Sequence, residues 1–210
     1  MEEGFFNQEL ITIILASLIL GWTVSLFSPI NQIYSATICF FIIIVANIFI
    51  KKAVAYYYEA NVKTKFWSWT QYGFSRESYF KNPLPMFWLP LVLGFISRGY
   101  FFWLGILEFD ISPRVERISK RHDLYKFTEL AEWHVALIAV SGIIINLLLA
   151  VIGYIIGFEF FAKLNVYYAL WSVIPLGGLD GSKILFGNKT LWFATFLITM
   201  AFFIFSVTIV

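Results

Sequence analysis

Charge is what this chain has least of. Only 13% of its 210 residues are Asp, Glu, Lys or Arg, against about 25% in soluble domains, which places it among integral membrane proteins. Cysteine occurs once, as Cys39 inside an apolar run, so neither a disulfide frame nor a cysteine metal cluster is available. Histidine occurs twice, as His122 and His134, and no His-Glu-x-x-His is present. A formal net charge of +2 gives no argument for a nucleic-acid partner. The opening Met1-Glu2-Glu3-Gly4 has neither a basic region nor a small-residue cleavage site. A retained first span, not a removable leader, is therefore expected.

What is abundant is apolar surface. The chain is 60% hydrophobic and holds 24 Phe, 11 Tyr and 8 Trp, read as lipid-facing bulk and interfacial belts, not as a cofactor cage. A helix needs about 20 apolar residues to cross a bilayer. On that measure spans are expected at about 10–27, 33–50, 135–157, 166–185 and 191–210. Between them, Ala53 to Lys81 alternates aromatic and polar residues (Val62-Lys63-Thr64-Lys65-Phe66-Trp67), a period-two pattern that predicts a strand or two near the interface. Residues 84–107 are apolar but interrupted by Pro85, Pro90, Gly94, Gly99 and Gly105, with Arg98 inside. Residues 108–133 form a charged segment.

Lys and Arg favour the cytoplasmic side of a membrane. Lys51, Lys52, Lys63, Lys65, Arg76 and Lys81 fall before residues 84–107, and Arg114, Arg117, Lys120, Arg121 and Lys126 after them. If 84–107 re-enters and leaves by one face, both basic groups are cytoplasmic. The prolines and glycines favour that reading over a straight crossing, which stays open. The N-terminus and the loops 51–83 and 108–133 are then expected in the cytoplasm. The fold class is an all-α polytopic membrane protein, one integral membrane domain with a re-entrant segment and a short membrane-associated β region.

The stretch from Trp171 to Leu185 breaks at Pro175, Gly177 and Gly178 and delivers one carboxylate, Asp180. A charge near the middle of a helix in hydrocarbon costs roughly 3 kcal/mol on insertion scales. Freed backbone groups at the proline and glycines also need protein or water as neighbours. An acid so placed marks a site.

Pro175 through Leu185, a proline-glycine bend followed by Leu-Asp-Gly, resembles the corresponding pattern of the site-2 proteases, a family of intramembrane zinc metalloproteases. Ser141-Gly142-Ile143-Ile144-Ile145-Asn146 is similar to that family's Gly-Pro-x-x-Asn helix, with Ile143 where the proline stands. The resemblance covers about residues 40 to 190 and implies a site-2-protease-like helical core. It gives Asp180 the place of the third zinc ligand, now vestigial, and puts Asn146, Pro175, Gly177 and Gly178 at a substrate or client groove. Matching the tail of the second span (Lys52 to Tyr58) to the family's metal helix puts Asn47 and Lys51 at the imidazole positions and Ile48 at the general base. These degenerate positions supply neither a metal nor a proton acceptor.

Lys51, or its neighbour Lys52, is a candidate partner for Asp180, with Asn47 in the same pocket. The alternative is that both lysines snorkel to the headgroups. Arg98 either pairs with an acid, Asp180 among them, or reaches water. His134 with Glu129 or Glu132 is a nonspecific metal candidate. Glu108 and Asp110 read as loop carboxylates, and Glu159 as a headgroup contact. Asn146 reads first as an interhelical hydrogen-bonding residue beside the small Ser141 and Gly142. Asn188-Lys189-Thr190 is a sequon on the cytoplasmic side. The expected function is a pseudoprotease that binds a transmembrane client or membrane partner in the lipid bilayer, without nucleic acid and without a cofactor. Zinc belongs only to the alternative, an active metalloprotease with an unrecognised ligand set. A further alternative is a transporter or ion pathway through Asp180 and Arg98.

Overall fold

A computed structural model describes residues 2–71, 79–114 and 130–208. Among these are seven helices and four strands: α1 (Glu2–Val24), α2 (Ile30–Tyr57), β1 (Ala60–Phe66), β2 (Ser68–Gln71), β3 (Tyr79–Pro85), α3 (Leu89–Ile96), β4 (Leu107–Pro113), α4 (Glu132–Ile155), α5 (Glu159–Val173), α6 (Asp180–Gly187) and α7 (Lys189–Thr208). The helices α2, α4 and α7 are long and apolar enough to cross a membrane. At 1.5 Å per residue they rise about 42, 36 and 30 Å, against a hydrocarbon core of about 30 Å. The apolar part of α1, Gln8–Val24, is shorter.

Helix α2 packs between α1 and α4, and α4 also carries α5 and α6. Phe40, Ile43, Ile44 and Ile48 of α2 meet Leu20 of α1 and Leu164 and Tyr168 of α5 in one buried cluster. A second cluster joins Ile138, Ile143 and Leu147 of α4 to Val173 and Ile184. Close approach depends on small residues: a Cβ at Gly21 of α1 would lie 2.3 Å from Thr37 Oγ1 of α2. Outward, apolar residues such as Ile38, Phe49, Leu148 and Ile198 stay exposed, as lipid-facing positions do.

The alternating stretch becomes two antiparallel pairs, β1 with β4 and β2 with β3. The helix before it runs on to Tyr57, past the expected end of the second span and into the start of the alternating stretch. In the proline-interrupted stretch 84–107 the only helix among the described residues is α3, eight residues, a rise of about 12 Å. A single straight helix through 84–107 is thereby removed. The two ends of this stretch meet at one residue: Met86 N–H donates to Trp67 O at 3.0 Å, and Trp67 N–H donates to Ile106 O at 2.8 Å. Its middle lies against the far end of α1, where Gly94 faces Leu26 and Thr23 and Gly99 faces Phe27. The stretch leaves the β region and returns to it.

The stretch expected at 166–185 carries the break that Pro175, Gly177 and Gly178 mark in the sequence. Helix α5 stops at Val173, the chain turns through residues 174–179, and α6 starts afresh at Asp180. Pro175 has no N–H to donate and the glycines leave helical space, so apolarity alone could not keep this segment helical. The charged segment 108–133 starts as strand β4, and its part at 115–129 lies outside the described residues, as do residues 72–78.

Candidate functional site

Four separate elements meet at Asp180. On α2, Asn47 and Lys51 are four residues apart and so share one face. Both are buried. Helix α4 lies on that face through Gly142, where an added Cβ would stand 2.3 Å from Lys51 Cε and 2.8 Å from Asn47 Nδ2. Only glycine lets the two helices approach so closely, and its carbonyl accepts a hydrogen bond from Asn47 Nδ2 at 2.8 Å.

Asp180 is the first residue of α6, where the helix dipole and free N–H groups favour a carboxylate. The loop before it is shaped by its glycines. Gly177 takes φ +53°, and its Cβ would stand 2.6 Å from Trp67 Nε1. A Cβ at Gly178 would come within 1.8 Å of Glu108 Oε2, and one at Gly181 within 2.1 Å of Val173 O. Each glycine therefore marks a contact that a side chain would break.

Lys51 Nζ stands 2.5 Å from Asp180 Oδ2, with the two side chains only 8% and 5% exposed. The expected pairing is thus present through Lys51. Lys52 turns the other way and pairs with Glu9 Oε2 of α1 at 2.5 Å. Adjacent residues on a helix point about 100° apart, so one helix end serves two acids.

Strand β4 closes the site from above. The Phe109 ring lies between two ammonium groups, Lys51 Nζ at 4.8 Å and Lys183 Nζ at 3.8 Å from its centroid. Lys183, three residues beyond Asp180 on α6, donates to Gly178 O at 3.0 Å and to Phe109 O. Beside it Glu108 is buried, with Lys65 Nζ 3.3 Å from its Oε1 and 2.7 Å from Asp110 Oδ2. Burial pushes the Glu108 carboxyl above its ordinary range, and Lys65 pulls against that. The hydrogen bond to Asp110 is the main cause holding the Lys65 ammonium protonated above its usual pH. Among Asn47, Lys51, Thr64, Glu108, Tyr168, Ser172 and Asp180 only about 10 Å³ of space remains, room for about one water.

The donor set does not fit zinc. A tetrahedral site needs three or four imidazole, thiolate or carboxylate donors about 2.0–2.3 Å from the ion. Among the described residues the pocket offers two carboxylates and no imidazole or thiolate, and each carboxylate already has an ammonium against it, Lys51 on Asp180 and Lys65 on Glu108. Among the described residues no group of three or more His, Cys, Asp and Glu could hold a metal. The structure therefore gives no step that runs through a metal.

The other expected residues disperse. Ile48 is buried in the apolar cluster of α1 and α2. Arg98 is exposed, at φ +54° in the turn after α3, and does not line the Asp180 pocket. Of the two readings of Arg98, a pairing with Asp180 is excluded because Lys51 takes that carboxylate, and exposure of Arg98 agrees with the other. His134 stacks on Tyr58 with ring centroids 4.5 Å apart, Glu132 is exposed at the start of α4, and His122 and Glu129 lie outside the described residues. Glu159 is exposed at the start of α5. Glu108, read as a loop carboxylate, is instead a buried strand residue, because the loop containing Gly178 covers the face that alternation assigns to solvent. Asn146 is fully buried one turn beyond Gly142, with neither side-chain polar atom hydrogen-bonded among the described residues. Its expected interhelical bond is not formed. Pro175 and Gly177 are exposed while Gly178 is half-buried. Asn188 caps α7, its Oδ1 accepting Leu191 N–H at 2.8 Å. Sequence reasoning missed Lys183 and Phe109. The spacing of Lys183 from Asp180, three residues on one helix face, was the available signal.

No protein-family model, curated protein or solved structure matches this chain.

Proposed function

We propose that the chain is a catalytically silent, site-2-protease-like membrane protein that holds a membrane client or partner without cutting it. The observation that carries this reading is the buried Lys51–Asp180 pair. A lysine from α2 supplies the positive charge that a metal would otherwise bring to the acid of α6. The general-base position holds Ile48, which has no proton to take or give. In this reading the chain crosses the bilayer five times with 84–107 re-entrant, and the N-terminus and the loops 51–83 and 108–133 face the cytoplasm.

Client binding falls to β1. One edge of β1 is paired with β4. Its other edge faces α1, where Glu9 Oε1 accepts the Thr64 N–H at 3.3 Å. A cleft of about 580 Å³ follows that edge, lined by Glu9, Lys52, Val62, Lys63 and Arg114 among others. An extended client segment laid beside Val62 would add a strand through main-chain hydrogen bonds, while side chains set specificity.

Metal analysis of the purified full-length protein tests the silent site. Less than about a tenth of an equivalent of zinc is expected, unchanged in Asp180→Asn. One tightly held equivalent that is lost in Asp180→Asn would overturn the reading in favour of a metalloprotease. A proton or solute flux in liposomes that vanishes in Asp180→Asn would overturn it in favour of a transporter.

A further inference from the structure

At the end of the helices opposite Lys51, three of them leave a lateral groove of about 420 Å³. Its walls are Ala150 and Tyr154 of α4, Ala162 and Val166 of α5, and Ala201 and Ser206 of α7. The gap follows from the sequence: alanines stand on all three walls where larger side chains would interlock. A wall of this kind, apolar with one buried polar group beside the exposed Tyr154, is the ordinary make-up of a ligand pocket.

Ser206 is that polar group. Three other hydroxyls on α7 bond back along their own helix: Thr195 to Leu191 O at 2.8 Å, Thr199 to Thr195 O at 2.8 Å, and Thr208 to Ile204 O at 2.9 Å. Ser206 is 4% exposed, and its hydroxyl has no hydrogen-bond partner among the described residues. A buried donor without a partner is costly, and here it borders an apolar void that would not hold water stably.

We infer that this groove is a lipid site, which takes the carbonyl-proximal part of one acyl chain of a bilayer glycerolipid, with the ester carbonyl accepting the Ser206 hydroxyl. Depth supports that occupant. Ser206 lies in the last turn of a 20-residue helix, about 26 Å along its axis from Lys189, at the depth where ester groups meet hydrocarbon. From Ser206 to Ala201 the wall runs about 7 Å toward the bilayer centre, so the groove takes the upper part of one chain and leaves the tail among other lipids. This inference does not depend on how the Asp180 site is read.

The test uses the full chain in phosphatidylcholine nanodiscs that carry a photoactivatable diazirine near the carbonyl end of one acyl chain. Labelled peptides are then counted by mass spectrometry. Label is expected to concentrate on residues 150–166 and 201–206, above the outward-facing control positions Ile144 and Leu148, which are 49% and 53% exposed. Ser206→Ala should lower groove labelling about fivefold, the equivalent of one net hydrogen bond of about 1 kcal/mol. Ala201→Phe should abolish it by filling the groove, and Val166→Phe does the same from the opposite wall if the first variant fails to fold. Equal labelling of groove and control positions, or labelling unmoved by these substitutions, would overturn the inference. A cross-link joining two copies of the chain through α7 would also overturn it, by making the groove a protein interface.

Discussion

Removing one partner of the Lys51–Asp180 pair is the most direct perturbation of the site. At 2.5 Å and an effective dielectric of about 20, the Coulomb attraction is about 7 kcal/mol. Desolvating two charges takes back several kcal/mol for each ion, so the intact pair contributes little net stability. Breaking it is different. Lys51→Met leaves Asp180 buried without its hydrogen-bonded counter-charge, because Lys183 Nζ, the other ammonium near it, is held on the carbonyls of Gly178 and Phe109. The expected cost is about 3–5 kcal/mol, which for a chain of this size is a fall in Tm of roughly 6–20 °C. Asp180→Asn strands the ammonium and should cost a similar amount. The double variant Lys51→Met/Asp180→Asn removes both charges and should recover most of the loss. Its coupling energy should exceed about 2 kcal/mol. Thermal unfolding of the four proteins in one detergent, followed by tryptophan fluorescence, measures the cycle. Additive single effects, or a Lys51→Met variant within about 0.5 kcal/mol of the parent, would refute the assignment of the pair as the element that neutralises Asp180.

Two further outcomes follow from the packing around the pair. Gly142→Ala places a methyl 2.3 Å from Lys51 Cε and 2.8 Å from Asn47 Nδ2; overpacking of this kind costs about 1–3 kcal/mol, and the same unfolding assay should show it reduced in the Lys51→Ala background but not removed, since the Asn47 contact stays. Burial holds the Glu108 carboxyl above its ordinary value of 4.5, so the folded protein holds that proton more tightly than the unfolded chain. Its contribution is fully present below the unfolded value and is lost as pH rises through the folded one. Stability measured across that range should therefore fall less steeply in Glu108→Gln than in the parent, and parallel slopes would count against a buried Glu108.

Much of the helical frame was legible because apolar run length is a strong signal. Helices α2, α4 and α7 lie within a few residues of three expected spans. Alternation likewise marked β1 and β2, since a strand half-buried against helices must repeat every two residues. The break between α5 and α6 was legible in Pro175, Gly177 and Gly178, but the start of α5 at Glu159 and the fresh start of α6 at Asp180 were not. Hydrophobicity reports where a segment sits and not whether its backbone is regular, and here one proline and its glycines outweighed it. At the site, Asp180 stood out because an acid among apolar residues is costly anywhere, and Lys51 because the resemblance of the second span's tail to a metal helix puts it at an imidazole position. Glu108 did not stand out. A carboxylate in an alternating strand reads as solvent-facing until the loop covering it is known. Lys183 was hidden by its position near a helix end, where lysines are common without being buried.

The glycines carry the last step. Gly142, Gly178 and Gly181 lie on two different segments, yet each stands where a Cβ would strike a wall of the same site: Lys51 Cε, Glu108 Oε2 or Val173 O. Lateral packing that close leaves about 10 Å³ beside Asp180, too little for a peptide to reach the carboxylate unless α4 or α6 moves. Moving either helix would open the pair to water, where an ion pair is worth about 1 kcal/mol or less. A client of the kind proposed would therefore have to be met outside the pair, along β1 and the face of α1 beside it, and the Lys51–Asp180 pair would serve the packing and not the contact.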